Sequence, residues 1–127
     1  MIAGIGVDLV DKSRIDRLLD QYGEQFVRRV LNADEQVQFA NSTRKGWFVA
    51  NRFAAKEAIS KALGTGLRYP VTLLSIGVLS NEHGRPEFSF SEALQGYLHS
   101  RKIGGAHLSI THENDLVCAV VVVESHQ

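Results

Sequence analysis

The segment from Trp47 to Leu63 carries the strongest helix signal of the chain and most constrains its fold. It is rich in alanine, and Gly64 and Gly66 follow it, where the end of a helix favours glycine. One face of the predicted helix consists of small residues, namely Ala54, Ala55, Ala58 and Ala62. Because small side chains let a neighbouring backbone come close, the sequence predicts a long helix that packs tightly against another element.

The other segments predict an α+β fold, with a mainly antiparallel sheet packed against the long helix in one domain over residues 1–127. Apolar residues recur with helical spacing after Ser13, the predicted N-cap of a first helix, at Ile15, Leu18, Leu19 and Tyr22. Two shorter helices are predicted at 33–41 and 92–101. Strand patterns occupy the ranges 2–10, 71–79, 87–90, 107–111 and 116–123.

The last strand, Leu116 to Val123, is apolar at nearly every position, which is typical of a strand covered on both faces. Helices can cover one face, and a partner subunit could cover the other. Cys118, the only cysteine, lies inside this run and is expected to be a buried thiol in a reducing compartment. No apolar stretch approaches the length of a membrane span, and no signal-peptide pattern opens the chain. A cytoplasmic protein is therefore expected.

The formal net charge is zero, which argues against a strongly basic nucleic-acid binder. The charges are nevertheless uneven, since 11 of the 14 basic residues lie between Lys12 and Arg68. This half of the chain could face an anionic ligand or partner, although solvated helix faces give a similar count.

Asp8 is the one charged residue in the first predicted strand, 2–10, and it follows Gly4 and Gly6. A buried carboxylate needs a partner, because an isolated ion in apolar surroundings is strongly unfavourable. Asp8 could cap a turn or pair with Arg52 or Lys56, which would make it structural. Alternatively, it could hold a ligand near the glycines.

On the long helix, Glu57 and Lys61 are four residues apart and therefore share a face. An ordinary surface ion pair of this kind contributes only about 0.3 kcal/mol to the free energy of unfolding. The small-residue face beside them favours a site of close packing instead. On the later strand, His107, Ser109 and Thr111 also share one face, where they could line a polar ligand site or bond within the fold.

Two segments resemble the phosphopantetheinyl transferase superfamily, specifically its small holo-[acyl-carrier-protein] synthase family. The first is G-I-G-V-D-L-V-D at 4–11, and the second is R-F-A-A-K-E-A-I-S-K-A-L-G-T-G at 52–66. The weaker features G-R-P at 84–86 and H-L-S-I-T-H-E at 107–113 follow in the order of the family. Thr111 stands where the family often has serine, which preserves a hydroxyl group.

The resemblance implies a homotrimer with active sites between subunits, coenzyme A and acidic acyl carrier protein as substrates, and Mg²⁺ as cofactor. It implies that Asp8 and Glu57 bind the metal and that Glu57 and Lys61 are catalytic. The coenzyme A contacts carried over from the family are Arg52, Lys61, Gly64, Arg85, Pro86 and His107.

Three arginines, Arg14, Arg17 and Arg28, are predicted to dock the acidic carrier protein. The general base stays open between Glu57 and a metal-bound water. Two rival functions also remain: an inactive trimer that binds acidic proteins or nucleotides, and a metal-dependent phosphohydrolase.

Overall fold

The computed structural model describes residues 1–126, which form five helices and five strands. The helices are α1 (Lys12–Tyr22), α2 (Glu24–Val30), α3 (Ala33–Ala40), α4 (Lys45–Ala62) and α5 (Glu92–Ser100). The strands are β1 (Ile2–Asp11), β2 (Ile76–Ser80), β3 (Pro86–Phe90), β4 (Ile103–Glu113) and β5 (Leu116–Ser125). None of the helices within 1–126 is long and apolar enough to cross a membrane.

The strands form two antiparallel sheets. In the larger sheet β5 lies in the centre, with β1 on one side and β4 on the other, while β2 and β3 form a hairpin. The long helix α4 packs across the larger sheet, and its buried residues form the core with the inward side chains of β5. The predicted α+β fold, with an antiparallel sheet packed against the long helix, is confirmed.

Close packing between α4 and β1 depends on two glycines. A Cβ atom on Gly6 would overlap the carbonyl oxygen of Ala58, and a Cβ atom on Gly4 would overlap that of Ala62. Ala58 lies fully within the core. The small face of the helix and the two glycines of the strand therefore bring the two backbones together, as the alanine-rich pattern predicted.

Some predicted boundaries were wrong. The strand predicted from Val71 begins only at Ile76, because Thr72 and Ser75 form a turn in which each side-chain hydroxyl accepts a hydrogen bond from the backbone N–H of the other. The first helix is capped by Asp11, whose side chain accepts from the Ser13 N–H, rather than by Ser13. The short helix α2 was not predicted at all.

The larger sheet has one covered face and one open face. Residues of β5 alternate between buried and partly exposed positions, so the chain itself covers only the α4 side. On the open face, β1 presents Ile5, Val7 and Leu9, which are 61%, 49% and 61% exposed. Cys118 lies half-buried on this face, so its predicted burial is wrong for the single chain, because it alternates with the inward Val117 and Ala119.

Candidate active site

Asp8 lies on the same face of β1 as Gly4 and Gly6, four and two residues before it, and therefore faces α4. Its carboxylate is mostly buried and accepts a hydrogen bond from the Lys61 Nζ at 3.0 Å. The same ammonium group donates to the carbonyl oxygen of Val7 at 3.3 Å. The partner of Asp8 is thus Lys61, and the predicted alternatives Arg52 and Lys56 were wrong.

Glu57 lies one turn before Lys61 on α4 and is half-buried. Burial raises the pKa of the Glu57 carboxyl, and the negative charge of Asp8 raises it further. The positive charges of Lys61 and Arg14 act in the opposite direction. Two carboxylates and two cations therefore gather where β1, α1 and α4 meet, and we call Asp8, Glu57 and Lys61 the carboxylate cluster.

Arg52 lies apart from the carboxylate cluster. Its guanidinium stacks on Phe48 at 3.8 Å and donates to the Gln38 side chain at 3.4 Å, which places it beside α3. Burial lowers the pKa of Arg52, and within residues 1–126 its buried Nε has no hydrogen-bond partner. An unsatisfied buried donor suits an anionic ligand. Its assignment as a coenzyme A contact stays a prediction.

Three of the predicted coenzyme A contacts lie together in a cleft between β3 and β4. This cleft has a volume of about 690 Å³, and Arg85, Pro86 and His107 line it together with Ser109. The imidazole of His107 is hydrogen-bonded to Glu124 at 2.5 Å and remains largely exposed. We call this site the β3–β4 cleft.

The carboxylate cluster and the β3–β4 cleft are not brought together within one chain. The cluster contains Asp8 of β1, whereas the cleft is lined by β4, and the whole width of β5 separates these two edge strands. Gly64 lies just beyond the end of α4, where its φ of 75° favours glycine although a side chain would meet open space. The predicted site residues thus lie in separate regions of the single chain.

An apolar groove of about 430 Å³ lies between α1, α2 and α4, the helices that carry or adjoin the predicted docking arginines. Its lining residues are Leu18, Tyr22, Gln25, Phe26, Arg29, Val30, Phe53 and Leu73. Arg14 lies one turn before Leu18 and close to Glu57, so the groove leads toward the carboxylate cluster. We call it the α1–α2 groove.

Sequence reasoning missed two features of this groove. Tyr22, predicted to face the core, is 48% exposed at the groove. Arg29 lines it, whereas the predicted Arg28 points to solvent and pairs with Glu24 at 3.5 Å. The helical spacing of Leu18, Tyr22 and Phe26 is the signal that could have revealed the groove. It was obscured because the chain turns at Gly23, between α1 and α2.

Comparison with known proteins agrees with these features. A family model described as the 4′-phosphopantetheinyl transferase superfamily matches residues 4–121. A protein from Nitrosospira multiformis named holo-[acyl-carrier-protein] synthase is 49% identical and is aligned over 98% of this chain and 99% of its own length. A relative of the same name from Nitrosomonas eutropha is also 49% identical, with the same coverage.

Solved structures give the same result. The crystal structure of holo-[acyl-carrier-protein] synthase from Neisseria meningitidis is similar, with a TM-score of 0.96 and 41% identity, over 98% of this chain and 100% of that one. The Bacillus anthracis enzyme in complex with CoA (3′,5′-ADP) has a TM-score of 0.83 and 38% identity, over 99% of both chains. The chain therefore belongs to the 4′-phosphopantetheinyl transferase superfamily and, within it, to the holo-[acyl-carrier-protein] synthase family, which confirms the predicted family and fold.

Proposed function

We propose that this chain transfers the 4′-phosphopantetheine group of coenzyme A to a serine of apo acyl carrier protein, at a site that two subunits complete. Adenosine 3′,5′-bisphosphate is the second product. The observation that carries the proposal is the carboxylate cluster, in which Glu57 and the mostly buried Asp8 lie side by side with Lys61. The family of the chain supports the reaction class.

The carboxylate cluster suits Mg²⁺. This ion prefers oxygen ligands in octahedral geometry and is usually bound by one or two carboxylates together with substrate phosphates and waters. Asp8 and Glu57 would supply the two carboxylates, and the Asp8 charge that raises the Glu57 pKa supports their proximity. Among residues 1–126, no group of three or more acidic, histidine or cysteine side chains could hold a metal. The remaining ligands would therefore come from substrate and water.

In the transfer, the serine hydroxyl attacks the phosphorus on the pantetheine side, and the bond to the adenosine bisphosphate breaks. When bound, the metal stabilises negative charge on the pyrophosphate oxygens. Lys61, which is 53% exposed, turns its ammonium from Asp8 toward the leaving phosphate. A carboxylate oxygen of Glu57 that does not bind the metal takes the serine proton.

A second subunit supplies the other half of the site. The open face of the larger sheet places Val7 and Val120 in one row and Leu9 and Cys118 in the next, with Ser109 and Thr111 beside them on β4. An apolar surface of this kind is typical of a subunit interface. In a homotrimer, the β3–β4 cleft of one subunit meets the carboxylate cluster of the next, and His107 contacts a phosphate.

The carrier protein docks in the α1–α2 groove. An apolar groove with a basic rim suits an acidic helix that carries a few apolar side chains. Arg14 lies between this groove and Glu57, so a serine at the end of a docked helix would be close to the carboxylate cluster. Arg17 and Arg28 extend the positive rim, and Arg29 borders the groove itself.

Replacing Arg29 with glutamate tests the docking surface. We expect the KM for the carrier to rise about tenfold while the KM for coenzyme A stays unchanged, because a rim charge acts on association with the charged partner. Arg28→Glu makes the same change of charge on a side chain that points to solvent and pairs with Glu24, and its effect should be clearly smaller. Steady-state kinetics measure both variants. Equal effects would show that the groove is not the centre of the docking surface.

The whole proposal is tested by incubating the protein with coenzyme A, Mg²⁺ and apo carrier protein, followed by mass spectrometry. A mass gain on the carrier equal to one phosphopantetheine group supports the transfer. Free phosphopantetheine without a modified carrier would indicate the rival hydrolase, and neither product would indicate a binding protein. Coenzyme A and carrier protein as substrates, together with the lone cysteine, favour the cytoplasm as its location.

A further inference from the structure

Lys56 is the largest fully buried side chain of the described residues, and it takes no part in the proposed chemistry. Its ammonium group donates three hydrogen bonds, to the carbonyl oxygen of Val30 at 2.5 Å, to that of Leu73 at 2.8 Å and to a Glu35 carboxylate oxygen at 2.6 Å. All three protons of the ammonium are therefore used. Burial lowers the pKa of Lys56, and the charge of Glu35 opposes this shift.

Glu35 is equally buried and equally satisfied. One carboxylate oxygen accepts from the backbone N–H of Asn32 and from Lys56, while the other accepts from the backbone N–H of Val78. Asn32 in turn accepts a hydrogen bond from the Glu35 N–H, which completes a capping box at the start of α3. The ion pair thus ties together α3, α4 and β2, the last residue of α2 and the loop before β2.

The two carbonyl groups held by Lys56 belong to walls of the α1–α2 groove. Val30 and Leu73 both line that groove together with Leu18 and Tyr22, and so does Phe53 of α4, one turn before Lys56. We propose that Lys56 and Glu35 are positioning residues that fix the width of the α1–α2 groove and thereby determine the affinity for the carrier protein. This inference rests on the proposed function of the groove.

Two observations favour a positioning role over stability alone. Replacing a buried ion pair by apolar residues is often neutral or stabilising, so the pair is a weak device for stability. Adjacent residues on a helix point about 100° apart, so Lys56 points away from the carboxylate cluster although it precedes Glu57. Two of the Lys56 hydrogen bonds end on residues that line the groove. We therefore expect a change at Lys56 to affect carrier binding rather than the chemical step.

The test is the double variant Glu35→Gln/Lys56→Met, which removes both charges and the bonds to Val30 and Leu73. We expect its KM for the carrier to rise about tenfold, with kcat and the KM for coenzyme A changed by less than about twofold, because only binding in the groove is affected. Leu94→Ala is the matched control, since it removes buried volume in α5, which contributes no residue to the groove. It should lower the melting temperature without changing the carrier KM.

An unchanged carrier KM in the folded double variant, or an equal rise in Leu94→Ala, would overturn the inference. If the double variant does not fold, Lys56→Arg replaces it, because the larger guanidinium retains the charge but cannot reproduce the three bonds of the ammonium. The same rise is then expected, and an unchanged KM again contradicts the proposal. Wild-type protein that fails to modify the carrier at all would refute the proposed function instead, so the two failures are distinguishable.

Discussion

Glu57→Gln is expected to reduce the rate of phosphopantetheine transfer by about 100-fold to 1,000-fold, the scale of losing one preorganised electrostatic group in an active site. The substitution keeps the shape of the side chain but removes the negative charge of a proposed metal ligand and proton acceptor. Glu57 is only half-buried, and its neighbours Lys61 and Arg14 remain, so the fold should be preserved. Single-turnover kinetics at low and at saturating Mg²⁺ measure the effect.

Glu82→Gln is the matched control, because Glu82 lies in the turn of the β2–β3 hairpin with a side chain 86% exposed. It should leave the rate unchanged. Asp8→Asn should reproduce the loss seen for Glu57→Gln and also release Lys61, whose hydrogen bond to Asp8 weakens with the carboxylate charge. If Glu57→Gln transfers at near wild-type rate at low Mg²⁺, the assignment of the metal ligands is wrong.

Val120→Glu is expected to convert the proposed trimer to monomers and to abolish transfer. Val120 lies at the centre of the open face, paired with Val7 on one side and Ser109 on the other. A glutamate there would bury an unpaired charge in the interface, which costs several kcal/mol per ion. Loss of the neighbouring subunit removes the β3–β4 cleft from each carboxylate cluster, so activity should fall together with the oligomeric mass.

The same substitution at Val37 is its control. Val37 is 65% exposed on α3, outside the open face of the sheet, and Val37→Glu should remain a trimer with full activity. Light scattering at micromolar concentration gives the mass for both variants and for the wild type. A Val120→Glu protein that is monomeric and fully active would show that one chain contains the whole site, contrary to the proposed assembly.

Part of the site could be predicted because the spacing of its residues along the chain shows which of them share a face of a strand or a helix. The spacing of Gly4, Gly6 and Asp8 puts all three on one face of a strand, and the spacing of Glu57 and Lys61 puts both on one face of a helix. The alanines of α4 indicated the close contact that brings these faces together. The family resemblance then indicated which of several possible roles these residues have.

Other features depend on contacts between residues that are far apart in the sequence, and no local pattern encodes such contacts. Lys56 and Glu35 are 21 residues apart in the chain, and the sequence pattern indicated Lys56 only as a possible partner of Asp8. Whether Arg28 or Arg29 faces the groove depends on the turn at Gly23, which changes the direction of the chain between α1 and α2. Because β5 is apolar on both its faces, its pattern predicted that both are covered but not which of them the chain itself covers.

The measurement that tests the central claim most directly is the mixing of two inactive variants. Glu57→Gln disables the carboxylate cluster, and Arg85→Ala/His107→Ala disables the β3–β4 cleft. If each active site takes its cluster from one subunit and its cleft from the next, mixed trimers contain sites with both halves intact. Random exchange of equal amounts should restore about a quarter of wild-type activity, because the interface of a closed ring is heterologous. No recovery, with exchange of subunits demonstrated by native mass spectrometry, would contradict the account.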